Sequence, residues 1–380
     1  MKAGLLGRTL GHSLSPQIHA LFGDYAYSLY EKEPDEVEAF IRGGFDRGEF
    51  DFLNVTIPYK QTAFALCDEL NPQARQLGNV NFAMRTADGR VRGDNTDAFG
   101  VERLLDSVGA DVRGRNCAVL GAGGAAMTAK AVIEARGAAR VRFVRRGEEP
   151  APDDWLIVNA TPVGMFPDVD GVRVDISQYP ACEVVLDLVY NPSPTRLVRE
   201  ARACGKKAAD GLVMLIAQAY RAFQLASGTG GGPEVLFLYG PPASGKSTLA
   251  GKVAAATGWA LVDLDAEIEK SAGRRIPEIF AAEGEASFRA IEKRCLRTVC
   301  EEARRNTVVA LGGGALLDGE CRALAEKAGR VVVLDCPLET LQARLTGGDR
   351  PLSVDGAKLA ALVAARAAHY ASFPNHVKML

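Results

Sequence analysis

The stretch Val235–Thr248, VLFLYGPPASGKST, decides the fold. Val235 to Tyr239 is an apolar run without polar alternation and reads as a buried strand of a parallel sheet. It breaks into Gly240-Pro241-Pro242-Ala243-Ser244-Gly245-Lys246-Ser247, which satisfies every fixed position of the Gly-x-x-x-x-Gly-Lys-Ser phosphate loop. A helical pattern starts at Lys246 and takes in Thr248. The strand aims the loop, the glycines let backbone N–H groups face a polyphosphate, and the helix N-terminus adds partial positive charge. Lys246 can then reach the β- and γ-phosphates, and the Ser247 hydroxyl can ligate Mg²⁺. The competing reading, a chance glycine-rich turn, does not account for both flanking elements. These residues define an ATP-type nucleoside triphosphate site.

The totals bound the rest. At 380 residues, and with domains of roughly 150 residues, two domains are expected. Hydrophobic residues at 47% and charged residues at 24% are ordinary for a globular protein. A formal net charge of −2 gives no support for a nucleic-acid or anionic-membrane surface. The beginning, MKAGLLGRTLGHS, lacks a signal-peptide core, and no apolar run approaches spanning length. The eight cysteines show no CxxC pair, so reduced cytoplasmic thiols are expected rather than a disulfide frame or zinc site. His12, His19, His369 and His376 show no metal-ligand spacing. The oligomeric state is not readable.

Ser227-Gly228-Thr229-Gly230-Gly231-Gly232-Pro233 has the composition of a flexible tether and places the start of the second domain near Glu234. On both sides short apolar strands alternate with helical stretches, predicting α/β units with parallel sheets. In residues 1–110, a strand at Ala3–Leu6 precedes Gly11-His12-Ser13-Leu14-Ser15-Pro16, where helix capping is the plain reading. Asn54, Thr56 and Lys60 follow the strand Asp51–Val55, at the carboxyl end where open α/β sheets bind ligands. Gly78-Asn79-Val80-Asn81 leads to a hairpin turning at Asp88-Gly89, then Gly93-Asp94-Asn95-Thr96-Asp97 and a helix. Asp94 or Thr96 is the expected cap there.

A second unit, 111–210, opens with the strand Cys117–Leu120. Gly121-Ala122-Gly123-Gly124-Ala125-Ala126 then starts a helix to about Ala135, before the strand Val141–Val144. That is a dinucleotide fingerprint in its βαβ setting. Arg145-Arg146 stand where an acidic residue would serve NAD, about 20 positions on, so the pattern favours the 2′-phosphate of NADP(H). A solvated basic loop end is the plainer reading. Only Gly147 to Asp154 separate Arg146 from the next strand, Leu156–Asn159. A helix to about Leu225 carries Gln218, whose ordinary fate would be to face solvent.

With GHSLSPQIH, NVTIPYK, GNVN, GDNTD, GAGGAA, NATPVGM and DGLVMLIAQA in order, residues 1 to about 226 resemble shikimate dehydrogenase. The resemblance implies an α/β substrate domain (1–110, completed by the helix at about 211–226) and a Rossmann-like NADP domain (111–210), reducing 3-dehydroshikimate to shikimate. It implies that Ser13 and Ser15 hold the substrate carboxylate and that Asn54, Thr56, Asn81, Asp97 and Gln218 hold its hydroxyls. Lys60 with Asp97 would be catalytic, and Tyr190 would touch substrate. Gly121, Ala122, Gly123, Gly124, Ala125, Arg145, Arg146, Gly211 and Met214 would serve NADP(H). Two departures stand out: Phe82 replaces a small hydroxyl residue, and the family's extra helix and strand after Arg146 are missing, so the NADP domain is abridged.

In the second half, Asp263 and Asp265 end the strand Ala260–Asp263-Leu264-Asp265, and two apart on an extended backbone they would face the same way. Asp265 as a helix cap is the plainer alternative. With GPPASGKST, DLDAEIE, EGEASFR, GGG, ARLTGGDRP and RAAHY, residues 234–380 resemble shikimate kinase, a P-loop domain with a parallel sheet. The resemblance implies MgATP-dependent phosphorylation of the shikimate 3-hydroxyl. Gly240, Ala243, Ser244, Gly245, Lys246, Ser247, Thr248, Arg344 and Arg350 would serve ATP, and Ser247 with Asp263 would serve Mg²⁺. Asp265 would take the hydroxyl proton. Arg289, Gly313, Gly314 and Arg366 would grip the acid, and Arg350, in a mobile loop at 346–352, would neutralise the transferring phosphoryl group. The family pattern has a longer loop here and continues past Leu380. The expectation is a cytoplasmic enzyme of two consecutive steps acting on small molecules. A quinate-type dehydrogenase with another small-molecule kinase is the alternative, as is one domain serving only as a binding module.

Overall fold

The computed structural model describes residues 1–228, 235–303, 306–346 and 356–378. The chain forms two compact units, one drawn mostly from residues before Gly230 and the other mostly from residues after it. The tether at 227–233 lies outside the described residues from 229 on.

The first unit has two sheets. One contains β1 (Lys2–Gly7), β2 (Ala26–Glu31), β3 (Phe52–Val55), β4 (Glu69–Leu70), β5 (Phe82–Arg85) and β6 (Val91–Asp94), in the order β2-β1-β3-β5-β6-β4. β1 runs parallel to β2 and β3, whereas β5 is antiparallel to both β3 and β6. This sheet is therefore mixed, where the strand–helix alternation predicts a parallel one. The β5–β6 hairpin is the reason: strands joined by a tight turn can pair only antiparallel, and Gly89 supplies the φ of 87° that the turn needs. Helices α1 (Ser15–His19), α2 (Val37–Asp46), α3 (Lys60–Leu66), α4 (Pro72–Leu77) and α5 (Thr96–Ser107) surround it. Leu6, Leu53 and Val55 of the strands bury against Val37, Ile41 and Phe45 of α2.

The other sheet of this unit is wholly parallel. It contains β7 (Asn116–Leu120), β8 (Arg140–Val144), β9 (Leu156–Asn159), β10 (Val184–Asp187) and β11 (Lys207–Ala209), in the order β11-β10-β9-β7-β8. Its helices are α6 (Gly124–Ala135), α7 (Arg196–Ala203) and α8 (Leu212–Ser227). β8 is left as an edge. α8 follows β11 in sequence but packs along α5. Gly100 makes this possible, since a Cβ there would lie 2.8 Å from Met214 Cγ and 2.9 Å from the Met214 carbonyl oxygen.

The second unit has one parallel sheet of β12 (Val235–Tyr239), β13 (Ala260–Asp263), β14 (Thr307–Ala310), β15 (Arg330–Asp335) and β16 (His376–Lys378), in the order β13-β14-β12-β15-β16. The helices are α9 (Lys246–Thr257), α10 (Leu264–Ala272), α11 (Ile276–Glu302), α12 (Gly319–Ala328), α13 (Leu338–Thr346) and α14 (Gly356–Ala371). β12 is central and fully buried, so the loop at its carboxyl end starts from the most constrained point of the sheet. Phe237, Tyr239, Val309 and Val333 form the core beneath it. Among the described residues no helix is long and apolar enough to cross a membrane.

Candidate active sites

In the first unit, strand ends and helix starts converge on one polar recess. β3 delivers Asn54, α3 begins at Lys60, and the first turn of α5 carries Asp97. Lys60 Nζ and Asp97 Oδ2 form an ion pair with side chains only 15% and 11% exposed. At that burial the carboxylate fixes where the ammonium sits, which a solvated pair would not do. Asn81 is tied into the same recess. Its Oδ1 accepts from Thr96 N at 2.6 Å, its Nδ2 donates to Thr96 Oγ1 at 3.0 Å, and its carbonyl accepts from Asn54 Nδ2 at 3.4 Å. The cap of α5 is Asn95, which accepts from Ala98 N at 3.3 Å, rather than Asp94 or Thr96. Asp94 instead accepts from Asn95 N at 2.7 Å, and burial raises its pKa. Thr96 is spent on Asn81.

Ser15 N donates to Ser13 Oγ at 3.2 Å, and the two hydroxyls lie 3.1 Å apart. This is the turn chemistry expected ahead of Pro16, and it holds the two hydroxyls together. Tyr190 lies in the loop after β10, where burial raises its pKa against an opposing influence from Ser13. Gln218 does not take the solvent-facing fate of most helical glutamines. It is 8% exposed on α8, with Nε2 donating to Leu215 O at 3.0 Å.

Behind this recess lie residues that no sequence motif marks. Tyr27 Oη donates to Asn54 Oδ1 at 3.0 Å, while its ring stacks on His19 with centroids 4.1 Å apart. Burial holds His19 neutral, with its pKa lowered to about 3. A tyrosine in an edge strand reading AYSLYE gives no local sign of such a role.

The dinucleotide turn lies at the carboxyl end of β7. Gly121 adopts φ 103°, and Gly123 caps α6. A Cβ at Gly123 or Gly124 would meet no heavy atom within 4 Å, so the turn has open space for a pyrophosphate. Ala122 is exposed and Ala125 half-buried beside it. Arg145 and Arg146 are exposed past the end of β8, and among the described residues neither guanidinium has an ion-pair partner. The residues present fit NADP(H). Gly211 presses against the chain just past β10, a Cβ there falling 2.2 Å from Leu188 O. Met214 lies in α8 against Gly100.

The short connection from β8 to β9 is held by charge. Asp154 is wholly buried and accepts from Arg140 Nη2 and Arg142 Nη2, each at 3.2 Å, and from Ala151 N at 2.7 Å. Arg142 also reaches Glu149 O at 2.8 Å, and Arg173 reaches Arg145 O at 2.9 Å. These bonds fasten the connection, and charges along β8, an edge strand of its sheet, protect that edge.

In the second unit Gly240, Ala243 and Gly245 have φ of 132°, 62° and 92°, which curl the phosphate loop around the N-terminus of α9. Lys246 Nζ donates to Gly240 O at 3.0 Å and Pro241 O at 2.7 Å. Arg344 Nη1 donates to Ala243 O at 3.3 Å and Ser244 O at 3.2 Å, so it braces the loop's backbone. Ser244 is buried, and Thr248 is exposed one residue past Ser247. Ser247 Oγ donates to Asp263 Oδ2 at 2.9 Å. A hydroxyl paired with a carboxylate at a phosphate loop is a donor set that suits Mg²⁺.

Asp263 and Asp265 do not share an extended backbone. β13 ends at Asp263, whose Oδ1 caps α10 by accepting from Asp265 N at 3.0 Å and Ala266 N at 3.4 Å. Asp265 lies in the first helical turn and turns elsewhere, towards Gly312. A Cβ on Gly312 would sit 3.2 Å from Asp265 Oδ1 and 3.0 Å from Glu292 Oε1. A Cβ on Gly313 would sit 3.2 Å from Gly240 O of the loop, and one on Gly314 would sit 2.8 Å from Arg289 Nη2. Each glycine of the run therefore makes room for a different functional group. Arg289 lies past the break of α11 at Gly284 and is paired with Glu292 Oε2 at 2.5 Å. A cavity of about 430 Å³ beside it is lined by Arg289, Glu292, Lys293, Gly314 and Asp318. Arg366, on α14, donates to Gly313 O at 3.1 Å. Arg350 and the loop from 347 to 352 lie outside the described residues.

Two nucleotide-dependent sites, one of each phosphate-binding type, thus stand on one chain. Residues 5–83 match the family model for the shikimate dehydrogenase substrate binding domain, and residues 242–379 that for shikimate kinase. The chain is 36% identical over 269 residues to the shikimate dehydrogenase (NADP(+)) of Methanopyrus kandleri, covering 61% of this chain and 92% of that protein. The shikimate 5-dehydrogenase of Thermus thermophilus, solved with NADP(H) and shikimate, matches at 30% identity and TM-score 0.54, over 60% of this chain and 94% of that one. The quinate dehydrogenase of Corynebacterium glutamicum, solved with NAD, matches at 28% identity and TM-score 0.55, over 60% and 94%. The chain belongs to the shikimate dehydrogenase family and carries a shikimate kinase domain after it.

Proposed function

We propose that this protein is a bifunctional enzyme that reduces 3-dehydroshikimate to shikimate with NADPH and then phosphorylates shikimate at its 3-hydroxyl with MgATP. The observation that carries it is the pairing on one chain of the Lys60–Asp97 recess with the Ser247–Asp263 phosphate loop. NADPH supplies the hydride and MgATP the phosphoryl group.

The chain's own residues do the rest. Reduction of a ketone leaves an alkoxide that needs a proton and a nearby positive charge. Lys60 can supply both, and Asp97 holds it in place. Ser13, Ser15 and Tyr190 face the substrate carboxylate, while Asn54, Thr56, Asn81 and Gln218 face its hydroxyls, because a polyol acid removed from water needs a partner for each group. In the second unit Asp265 takes the proton from the attacking hydroxyl. Arg289, Gly313, Gly314 and Arg366 orient the acid, Lys246 steadies the phosphates, and Arg350 neutralises charge on the group in flight. Phosphoryl transfer depends on such positioning more than on covalent help. The domain limits follow: 1–110 with 211–226 for substrate, 111–210 for NADP(H), and 234–380 for the kinase. The enzyme acts in the cytoplasm on small molecules.

Incubation with 3-dehydroshikimate, NADPH and MgATP tests this. Shikimate should appear first and shikimate 3-phosphate after it, with 3-dehydroquinate turned over much more slowly. Shikimate that accumulates without its phosphate would overturn the kinase assignment, and preference for 3-dehydroquinate would overturn the first.

A further inference from the structure

The inner face of α14 carries Arg366 and Tyr370, one helical turn apart and therefore neighbours. Both donate to the same acceptor. Tyr370 Oη lies 2.7 Å from Gly313 O, and Arg366 Nη1 lies 3.1 Å from it. A carbonyl oxygen has lone pairs for both, but the two donors differ in kind. Tyr370 is 6% exposed, and its ring is packed edge-on against Tyr239 at 5.3 Å, so its hydroxyl has one direction to point. Arg366 has a long, jointed side chain and several N–H groups. As a cation it is better matched to a carboxylate than to a neutral carbonyl.

We propose that Tyr370 is a positioning residue of the kinase substrate site: it keeps the Gly313 carbonyl satisfied so that Arg366 is released to the carboxylate of the bound acid. The inference rests on the reading of Arg366 as the carboxylate grip. Without the tyrosine hydroxyl, Arg366 is the remaining described donor to that carbonyl. Turning Arg366 towards substrate would then orphan a backbone acceptor, and the loss would fall on substrate affinity.

The test uses the full-length chain and four proteins: wild type, Tyr370→Phe, Arg366→Ala and the double variant. Tyr370→Phe should raise the KM for shikimate roughly three- to tenfold, with kcat and the KM for ATP within about twofold of wild type. In the Arg366→Ala background the same change should add little, because no guanidinium is left to release. An unchanged shikimate KM overturns the proposal. So does a parallel fall in kcat and ATP affinity, which marks the tyrosine as ordinary core packing, or a full-sized effect persisting without Arg366. Failure of the wild type to phosphorylate shikimate would instead remove the underlying reading of the site.

Discussion

Lys60 and Asp97 are 37 residues apart in sequence and meet because β3 and β6 run the same way, so that α3 and α5 start at the same end of the first sheet. Asp97→Asn keeps the shape and removes the charge that holds the ammonium. Ketone reduction should fall roughly 10²-fold or more, while shikimate phosphorylation by the same preparation stays unchanged. Tyr27 acts one step back. Its hydroxyl, enclosed by Asn54, Ser15 and Tyr25, has a pKa that burial pushes well above the ordinary value, so it remains a donor at working pH. Tyr27→Phe should raise the KM for 3-dehydroshikimate about five- to tenfold, with a smaller change in kcat. Steady-state kinetics in which only kcat moved would argue against a positioning role.

Asp187, at the end of β10, adds a pH signature. Burial raises its pKa to about 6, against the pull of bonds from Thr195, Val189 N and Asn159 Nδ2. A carboxyl whose folded pKa exceeds its unfolded value of 3.8 binds more protons when folded. Its stabilising share is present in full below about pH 4 and fades as pH rises to about 6. The swing is on the order of 3 kcal/mol. Asp187→Asn should therefore look progressively more stable than wild type as pH rises through this window. A difference in melting temperature that is flat with pH would count against the assignment.

At the scale of elements, patterns of rigid backbone chemistry were the most legible. The phosphate loop and the dinucleotide turn each demand glycine at fixed places between a strand and a helix, and both elements appear where the residues put them. What the sequence hid was set by contacts distant along the chain. Asp265 departs from the expected strand because one residue decides whether a strand end or a helix start holds it, and the cap that decides is Asp263. Asn95 takes the cap expected of Asp94 or Thr96 because Asn81, just ahead of β5, occupies Thr96. Gln218 is buried because Gly100 draws α8 onto α5, a closeness that no local pattern of α8 reveals. The short β8–β9 connection is legible in the sequence, but the buried charge that holds it is not. Asp154→Asn should lower stability by about 2–4 kcal/mol, since it leaves Arg140 and Arg142 facing a buried neutral group. Thermal unfolding of the isolated variant measures this, and a change under about 0.5 kcal/mol would show that the loop holds without the charge.

For the whole molecule, the two units carry separate cores and separate nucleotide turns, so their chemistries should be separable. Lys60→Ala should abolish reduction while leaving phosphorylation of added shikimate at wild-type rate, and Lys246→Ala should do the reverse. Assays of both activities on both variants settle it. Loss of both activities in either variant would mean that the units depend on one another.

The path of α8 has a consequence for how the protein is made. The substrate lobe begins at residue 2, yet the helix that lies along α5 and brings in Gln218 is the last element before the tether. A ribosome must therefore deliver residues up to Ser227 before the dehydrogenase can close, and only then does the kinase sequence begin to emerge. Nascent chains stalled a few codons short of α8 should leave α5 bare and open to proteases and chaperones, whereas chains stalled well beyond the tether should already be resistant over their first 227 residues.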